Sequence, residues 1–239
     1  MKYIQNIEDE AEAIKQTYDV LYYIKPLGSV SLITIARPIA IDLGLPSGLK
    51  WANMNIGAEK ETDYGLYFQW GDVVGYADAS HSTWATCPGN GGNSDYNAAS
   101  IEAWDAANLQ SVTGMAYSTK ILMPKVDAAT VNMGSKWRMP TIEDCGELLN
   151  NTNYEYAEIN GVKGGKFINK NDSSKYIFLP FAGAAVEGSF EFQGVVGGFW
   201  SSSVFSDSPV NAYGVSASES NYDGNTSYRR GAMSVRGVC

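Results

Sequence analysis

Histidine and cysteine are scarce in this chain, whose 239 residues include one His and three Cys. A Ser-His-Asp triad or a multi-histidine metal site would have to contain His81, which lies in a Ser- and Ala-containing stretch typical of a surface loop. Cys87, Cys145 and Cys239 lack the paired spacing of metal sites, and their odd number argues against a disulfide framework but leaves room for one bridge. We therefore expect no enzymatic activity and no bound cofactor or metal.

Basic residues are fewer than acidic ones, and long apolar runs are absent from the sequence. Lys and Arg number 17 against 26 Asp and Glu, which gives a net charge of −9 and a pI of about 4.6. A nucleic acid would meet repulsion rather than the counterion release that drives its binding, so we expect no nucleic-acid partner. The segment Met1–Lys25 lacks the apolar core of a signal peptide, and Ser29–Ile41 is too short to span a bilayer. The sequence predicts no membrane insertion and shows no signal peptide.

The composition that remains is typical of a loop-rich β or α+β protein, with 44% hydrophobic residues, 25 Gly, 15 Tyr and 6 Trp. We predict a main domain over residues 40–239 and an N-terminal helix and strand extension over residues 1–39. Apolar residues at alternating spacings of three and four predict a helix over Ile4–Leu21, which either packs on the main domain or mediates oligomerisation. β-Branched residues predict a strand over Val30–Leu43.

Capping signals locate two helices in the main domain. One is predicted over Asp127–Met133 and ends at Gly134. The next begins after Thr141, because Thr141 and Asp144 have the spacing of a capping box, and it ends at Asn150-Asn151. Other elements are a helix-like stretch over Ser100–Leu109 and strands at the end of Leu45–Ala52 and over Tyr64–Gly71, Gly164–Asn169, Lys175–Phe181 and Phe190–Val196. Four aromatic residues are predicted to lie in the core: Trp51, Tyr64, Tyr67 and Trp70.

The C-terminal forty residues combine an apolar frame with a long polar interval. Phe199-Trp200 and Met233–Arg236 alternate as half-buried strands do. Between them, Ser206–Arg230 is rich in Ser, Asn and Tyr, which favours neither a core nor a helix but is typical of binding loops: Tyr supplies contact area, and Ser and Asn supply adaptable hydrogen bonds. We therefore predict that this interval is a recognition surface held between two core strands.

Ordered sequence blocks across residues 40–239 carry a resemblance to a known family. The blocks are Leu45–Ala52, Asn55–Ala58, Tyr64–Asp72, Asp127–Ala129, Trp137–Thr141, Phe178–Gly183, Trp200–Ser203 and Gly231–Arg236. This series resembles the paralogous-domain family first recognised in Fibrobacter and abundant in gut Bacteroidales. That family is similar to the C-type lectin fold of formylglycine-generating enzymes and of the variable proteins of diversity-generating retroelements.

The resemblance implies an α+β, C-type lectin-like fold with small antiparallel sheets, two helices, paired terminal strands and long loops. It also implies a variable region over residues 199–236, written by mutagenesis directed at template adenines. Residues that match the framework are expected to be structural: Trp200–Ser203, Ala212, Tyr213 and Gly231–Arg236. The candidates for ligand contact are Phe205, Asp207, Asn211, Ser216, Ser218, Asn221, Tyr222, Asp223, Asn225, Ser227, Tyr228 and Arg230.

The leading functional expectation is a receptor-binding protein displayed on a phage tail or a bacterial surface, with a protein or glycan on a target cell as its ligand. An undiversified adhesion domain of the same fold is the first alternative. A formylglycine-generating-type oxidase is the second, but it needs a reactive cysteine pair, and Cys87 and Cys145 stand in unrelated contexts. The Glu-Pro-Asn, Gln-Pro-Asp and Trp-Asn-Asp motifs of calcium-dependent lectins do not occur, so the fold does not imply lectin activity.

Overall fold

The computed structural model describes residues 38–88, 121–205, 207–208 and 210–239. The helix predicted over Ile4–Leu21, the helix-like stretch Ser100–Leu109 and the first part of the strand predicted over Val30–Leu43 lie outside these residues. Of that strand, the described part contains Ala40–Asp42.

Short antiparallel strands dominate the described residues. The strands are β1 (Ala40–Asp42), β2 (Lys50–Ala52), β3 (Phe68–Gln69), β4 (Thr152–Ile159), β5 (Val162–Asn169), β6 (Tyr176–Pro180), β7 (Ala184–Val186), β8 (Ser189–Glu191), β9 (Val196–Val204), β10 (Asn211–Ser218), β11 (Tyr222–Tyr228) and β12 (Ala232–Met233). They form small sheets with the orders β1-β2, β11-β10-β9, β3-β12-β7-β8 and β4-β5-β6. The α-helices in this part of the chain are α1 (Ala128–Met133) and α2 (Ile142–Asn151), and a short 3-10 helix, Pro124–Val126, precedes α1. The predicted α+β class, with small antiparallel sheets and two helices, is confirmed.

Both helices begin and end where their capping residues predict. Asp127 caps α1 by accepting a hydrogen bond from the backbone N–H of Thr130, and Gly134 follows the helix at φ 95°. Thr141 and Asp144 form the capping box of α2. No helix among the described residues is long and apolar enough to cross a bilayer.

The beginning of the described domain is paired with its end. Lys50 and Cys239 exchange two backbone hydrogen bonds of 3.0 Å, and Ala52 N–H donates to Gly237 O at 2.9 Å. The fully buried Arg236 reinforces this pairing, because its guanidinium donates to Asn55 Oδ1 at 2.7 and 3.0 Å. Burial lowers the pKa of Arg236 to about 9, so the side chain remains a cation at neutral pH.

Strand β9 passes between two hydrophobic clusters. Phe199 packs in one cluster with Trp51 and Phe167, whereas Trp200 packs in the other with Phe68. The prediction that Phe199-Trp200 and Met233–Arg236 are half-buried is therefore wrong, since both segments are buried on both faces. Trp51, Tyr67 and Trp70 lie in the core as predicted, and Tyr64 is half-buried.

Several predicted strands differ in extent from those observed. The strand predicted over Tyr64–Gly71 is confined to β3. The strand predicted over Phe190–Val196 is divided, because Phe192 (φ 58°) and Gly194 (φ 74°) adopt left-handed backbone conformations that turn the chain between β8 and β9. Strand β4 was not predicted, although polar and apolar residues alternate over Asn153–Tyr156.

The interval Ser206–Arg230 is the largest correction. It is not a set of long loops but contains the hairpin β10–β11, whose two strands pair over seven residues. Backbone pairing with the buried β9 stabilises it without requiring an apolar outer side, and Tyr, Thr and Val have high strand propensity. Composition alone predicted loops because it does not report the neighbouring strand.

Candidate ligand-binding surface

The hairpin β10–β11 has two faces of different character. Its register pairs Ser216 with Asp223 and Ala217 with Tyr222, so alternate residues of each strand lie on opposite faces. One face carries Val215, Ala217 and Tyr222, which pack into the core cluster that includes Leu148 of α2. We call the opposite one the polar face; it carries Ser216, Ser218, Asp223, Asn225 and Ser227.

Tyr222 anchors the core-side face. Its ring stacks on Tyr154 with 4.5 Å between centroids and meets Phe167 edge-on at 5.9 Å. The hydroxyl of Tyr154 in turn donates a short hydrogen bond to the carbonyl of Ser218. Burial raises the pKa of Tyr154 to about 12, so the phenol keeps this proton at neutral pH. Among the predicted contact residues, Tyr222 is therefore turned toward the core.

The polar face directs its side chains away from that core. Asp223 and Asn225 are exposed, and Ser216, Ser218 and Ser227 are half-buried. All five belong to the predicted contact set, and the strand alternation brings them together on one surface. Small polar groups on this hairpin, in which β10 pairs on both sides and β11 pairs with β10, can exchange water for a ligand without disturbing the core.

Gly214 allows strand β10 to pack closely against β9 and Met233. A Cβ atom at Gly214 would lie 2.7 Å from the carbonyl oxygen of Phe199 and 3.3 Å from the terminal methyl of Met233. The first contact is shorter than real Cβ atoms show and involves backbone, so a larger residue here would displace β9. Met233 therefore covers the polar face at its Gly214 end.

Beside Met233 the domain has a cleft of about 400 Å³. Its apolar lining comes from Ala184, Val186, Trp200, Gly231 and Met233. Its polar lining comes from Asn211, Thr226, Ser227, Tyr228 and Arg230. The volume falls at the lower end of the range usual for small-molecule and side-chain pockets. The cleft brings together four of the predicted contact residues, namely Asn211, Ser227, Tyr228 and Arg230.

An ion pair lies at the rim of this cleft. The guanidinium of Arg230 forms a short contact with the carboxylate of Glu187 and lies 5.5 Å from the centroid of the Tyr228 ring. The side chain of Arg230 is 19% exposed and that of Glu187 is 59% exposed. Tyr228 is 45% exposed and also meets Trp84 edge-on at 6.3 Å. An aromatic ring, a cation and an anion are thus arranged around one opening.

The other predicted contact residues lie outside both the polar face and the cleft. Phe205 follows β9, and its ring meets Tyr213 edge-on at 5.3 Å. Asp207 is exposed in the connection to β10. Asn221 lies in the hairpin turn, where its carbonyl accepts the backbone N–H of Ser218 at 2.7 Å.

Sequence reasoning missed the contribution of β7 and the turn that follows it. Ala184 and Val186 line the cleft and Glu187 pairs with Arg230, although they precede the predicted variable region. Strand β12 places them beside the hairpin, because its Ala232 pairs with Ala185 of β7. The positive φ of Glu187 (49°) was not readable from the sequence, but the following Gly188 was a signal for a turn.

No cysteine or histidine of the described residues lines the cleft or lies on the polar face. Cys145 lies in the core below the hairpin, and Cys87 packs with Trp84 and Val210. The His81 ring stacks on Tyr76 at 3.6 Å, and its Nδ1 lies 3.0 Å from the hydroxyl of the adjacent Ser80. Among the residues that the structure describes, no three His, Cys, Asp or Glu side chains are grouped as a metal site requires.

Comparisons of this chain with protein-family models, with curated proteins and with solved structures gave no match.

Proposed function

We propose that this chain is a ligand-binding protein with a C-type lectin-like fold, related to the variable proteins of diversity-generating retroelements. Its polar face and the adjoining cleft bind a protein or glycan on a target cell. Display on a phage tail or on a bacterial surface fits such a role. The proposal joins the sequence blocks that resemble this family with the arrangement of the C-terminal hairpin.

The observation that carries the proposal is the alternation along β10 and β11. Val215 and Ala217 are buried in the core, whereas Ser216 and Ser218, which alternate with them along β10, belong to the polar face. A binding surface built in this way can change its chemistry at Ser216, Ser218, Asp223, Asn225 and Ser227 while the buried positions of the hairpin stay the same. This separation is what a diversified receptor-binding protein needs.

Features of the scaffold support the same proposal. The resemblance implies paired terminal strands, two helices and small sheets, and Lys50 pairs with Cys239 at the two ends of the described domain. Trp200, from the Trp-Ser-Ser-Ser block, donates its indole N–H to the carbonyl of Phe68 at 2.8 Å. A structural role for Trp200 is what the resemblance predicts for this framework position.

The oxidase alternative has less support. Burial raises the pKa of Cys145, and the nearby carboxylates of Asp144 and Glu143 raise it further, so the thiol stays protonated at neutral pH. Cys145 and Cys87 also belong to different clusters of the core. A pair of reactive thiols would instead need an exposed, electropositive environment.

Rewriting the polar face should leave the fold intact. We expect that replacing Ser216, Asp223, Asn225 and Ser227 together by alanine changes the free energy of unfolding by less than about 2 kcal/mol, because surface substitutions cost about 0.5 kcal/mol or less each. Urea denaturation followed by circular dichroism measures this change.

The matched control is Val215→Ser on the other face of the same strand. Val215 is 1% exposed, so this variant should lose about 2–3 kcal/mol through lost apolar burial and a buried hydroxyl. If the four polar-face substitutions cost as much as Val215→Ser alone, the polar face is part of the folding core and the proposal is wrong.

Comparison of natural isolates of the same locus tests the function directly. We expect amino-acid differences concentrated between Ser203 and Gly231 and enriched on the polar face and the cleft rim. Gly214 should stay glycine because a Cβ atom there would meet the Phe199 carbonyl at 2.7 Å, and position 222 should stay aromatic because its ring stacks on Tyr154.

The gene neighbourhood separates diversification from an undiversified adhesion domain. A near-repeat of the final hundred or so nucleotides beside a reverse transcriptase gene supports the first. Differences scattered evenly through the chain, with Gly214 and Tyr222 as variable as their neighbours, would remove the diversification claim.

A further inference from the structure

The cleft beside Met233 has a floor without charge. Trp200 is fully buried, and its indole N–H is already bound to the carbonyl of Phe68 at 2.8 Å. Ala184, Val186 and Met233 add only apolar atoms, and Gly231 adds no side chain. A ligand group placed against these residues meets mainly dispersion contacts, which favours an apolar group over a hydroxylated one at the floor; the polar lining comes from Asn211, Thr226, Ser227, Tyr228 and Arg230 on the other side of the cleft.

The rim of the cleft is neutral because its charges are paired. Arg230 alone would attract a carboxylate, but Nη1 of its guanidinium already pairs with the carboxylate of Glu187. Glu187 lies on the turn after β7 and outside the proposed variable region. A residue outside that region therefore fixes the position of the Arg230 side chain. An anionic ligand would be repelled by the neighbouring carboxylate of Glu187, in a chain whose net charge is already −9.

We propose that the cleft binds one uncharged apolar side chain of a protein ligand, aromatic or branched aliphatic, and that Glu187 excludes carboxylates by holding Arg230. This inference rests on the proposed function and specifies its ligand class. A volume of about 400 Å³ is large enough for one side chain and part of its backbone. Tyr228, Asn211 and Ser227 at the rim meet the neighbouring peptide groups.

The test is a titration of the full chain, labelled with ¹³C at its methionine methyl groups, with three small probes. N-acetyl-phenylalaninamide represents a neutral side chain in a peptide, N-acetyl-phenylalanine its carboxylate, and methyl β-glucoside a neutral sugar. The amide should shift the Met233 methyl signal, identified by its loss in Met233→Leu, with the low-millimolar affinity usual for fragments. The carboxylate should bind several-fold more weakly, and the sugar should leave the signal unchanged.

Two variants establish that the cleft is responsible. A Cβ atom at Gly231 has its nearest neighbour at an ordinary 3.4 Å, so Gly231→Leu fills the cleft and should abolish the shift. The matched control is Gly146→Leu on α2, where a Cβ atom meets nothing within 4 Å, and it should leave the titration unchanged. The probe comparison on the unaltered chain decides the question even if Gly231→Leu fails to fold.

Glu187→Gln tests the specificity role. It keeps the size and the hydrogen-bonding oxygen of the side chain but removes its charge, so the carboxylate probe should gain affinity by up to about fivefold while the amide probe is unaffected. No gain for the carboxylate would overturn the role of Glu187.

Two other results of the three-probe titration would overturn the proposed ligand class. A Met233 shift with the sugar but not the amide would replace the peptide ligand by a glycan, and no shift with any probe would remove the cleft as a binding site. Either result overturns this inference but leaves the proposed function standing, provided that isolates still vary on the polar face.

Discussion

Replacing Trp200 with alanine is expected to lower the free energy of unfolding by about 3–5 kcal/mol. The side chain is 0% exposed and packs in the cluster that contains Phe68 and Met139. Truncation leaves a large cavity beneath the cleft and deprives the Phe68 carbonyl of the indole N–H that it accepts at 2.8 Å. Guanidinium denaturation followed by far-UV circular dichroism measures the loss.

The control for this prediction is Trp200→Phe, which keeps most of the ring and removes only the hydrogen bond and part of the volume. It should cost less than half as much as the alanine variant. A loss below about 1 kcal/mol for Trp200→Ala would mean that the site collapses around the smaller residue, against the rigid floor that the cleft requires.

Replacing Asp127 with alanine should be the second most damaging change, with an expected loss of about 2–4 kcal/mol. Its carboxylate accepts the backbone N–H of Thr130 at 2.8 Å and that of Met139 at 2.9 and 3.1 Å. The residue therefore caps α1 and at the same time ties it to the segment that precedes α2. Alanine would leave both donors without this partner, the second of them buried.

Asp127→Asn separates hydrogen bonding from charge. Burial raises the pKa of Asp127 although the backbone donors lower it, so the charge itself is costly to keep in this place. Asparagine retains Oδ1, which faces both donors, and carries no charge, but it places an amide NH2 donor where Oδ2 accepts the Met139 N–H at 2.9 Å. Its loss of stability should therefore be smaller than that of alanine but not zero. Thermal unfolding of the two variants at neutral pH compares them, and equal losses would show that Oδ1 alone does not stabilise the helix.

The elements that the sequence predicted well are those with local signals. The limits of α1 and α2 depend on Asp127, Gly134, Thr141 and Asp144, and these residues act within one turn of the helix that they cap. Strands β5 and β6 were located within two residues because turn residues separate them. Such signals need no knowledge of distant neighbours.

The elements that it predicted poorly depend on contacts between distant parts of the chain. Composition makes Ser206–Arg230 resemble loops, but pairing of β10 with β9 orders the hairpin. The cleft joins Ala184 and Glu187 to Tyr228 and Arg230 across more than forty residues, and no spacing rule links them. Composition predicted which residues belong to the candidate surface but not their arrangement, because only the strand register shows which side chains share a face.

Strand β11 is an edge strand of its sheet, and this position limits which substitutions it can accept. In the order β11-β10-β9, one flank of β11 has no neighbouring strand among the described residues. Such a flank can recruit the same strand of another molecule, and acidic or amide side chains such as Asp223 and Asn225 discourage that association. Replacing them with Val, Ile or Phe would favour self-association through this edge, so solubility restricts which residues can stand at these two positions whatever the domain binds.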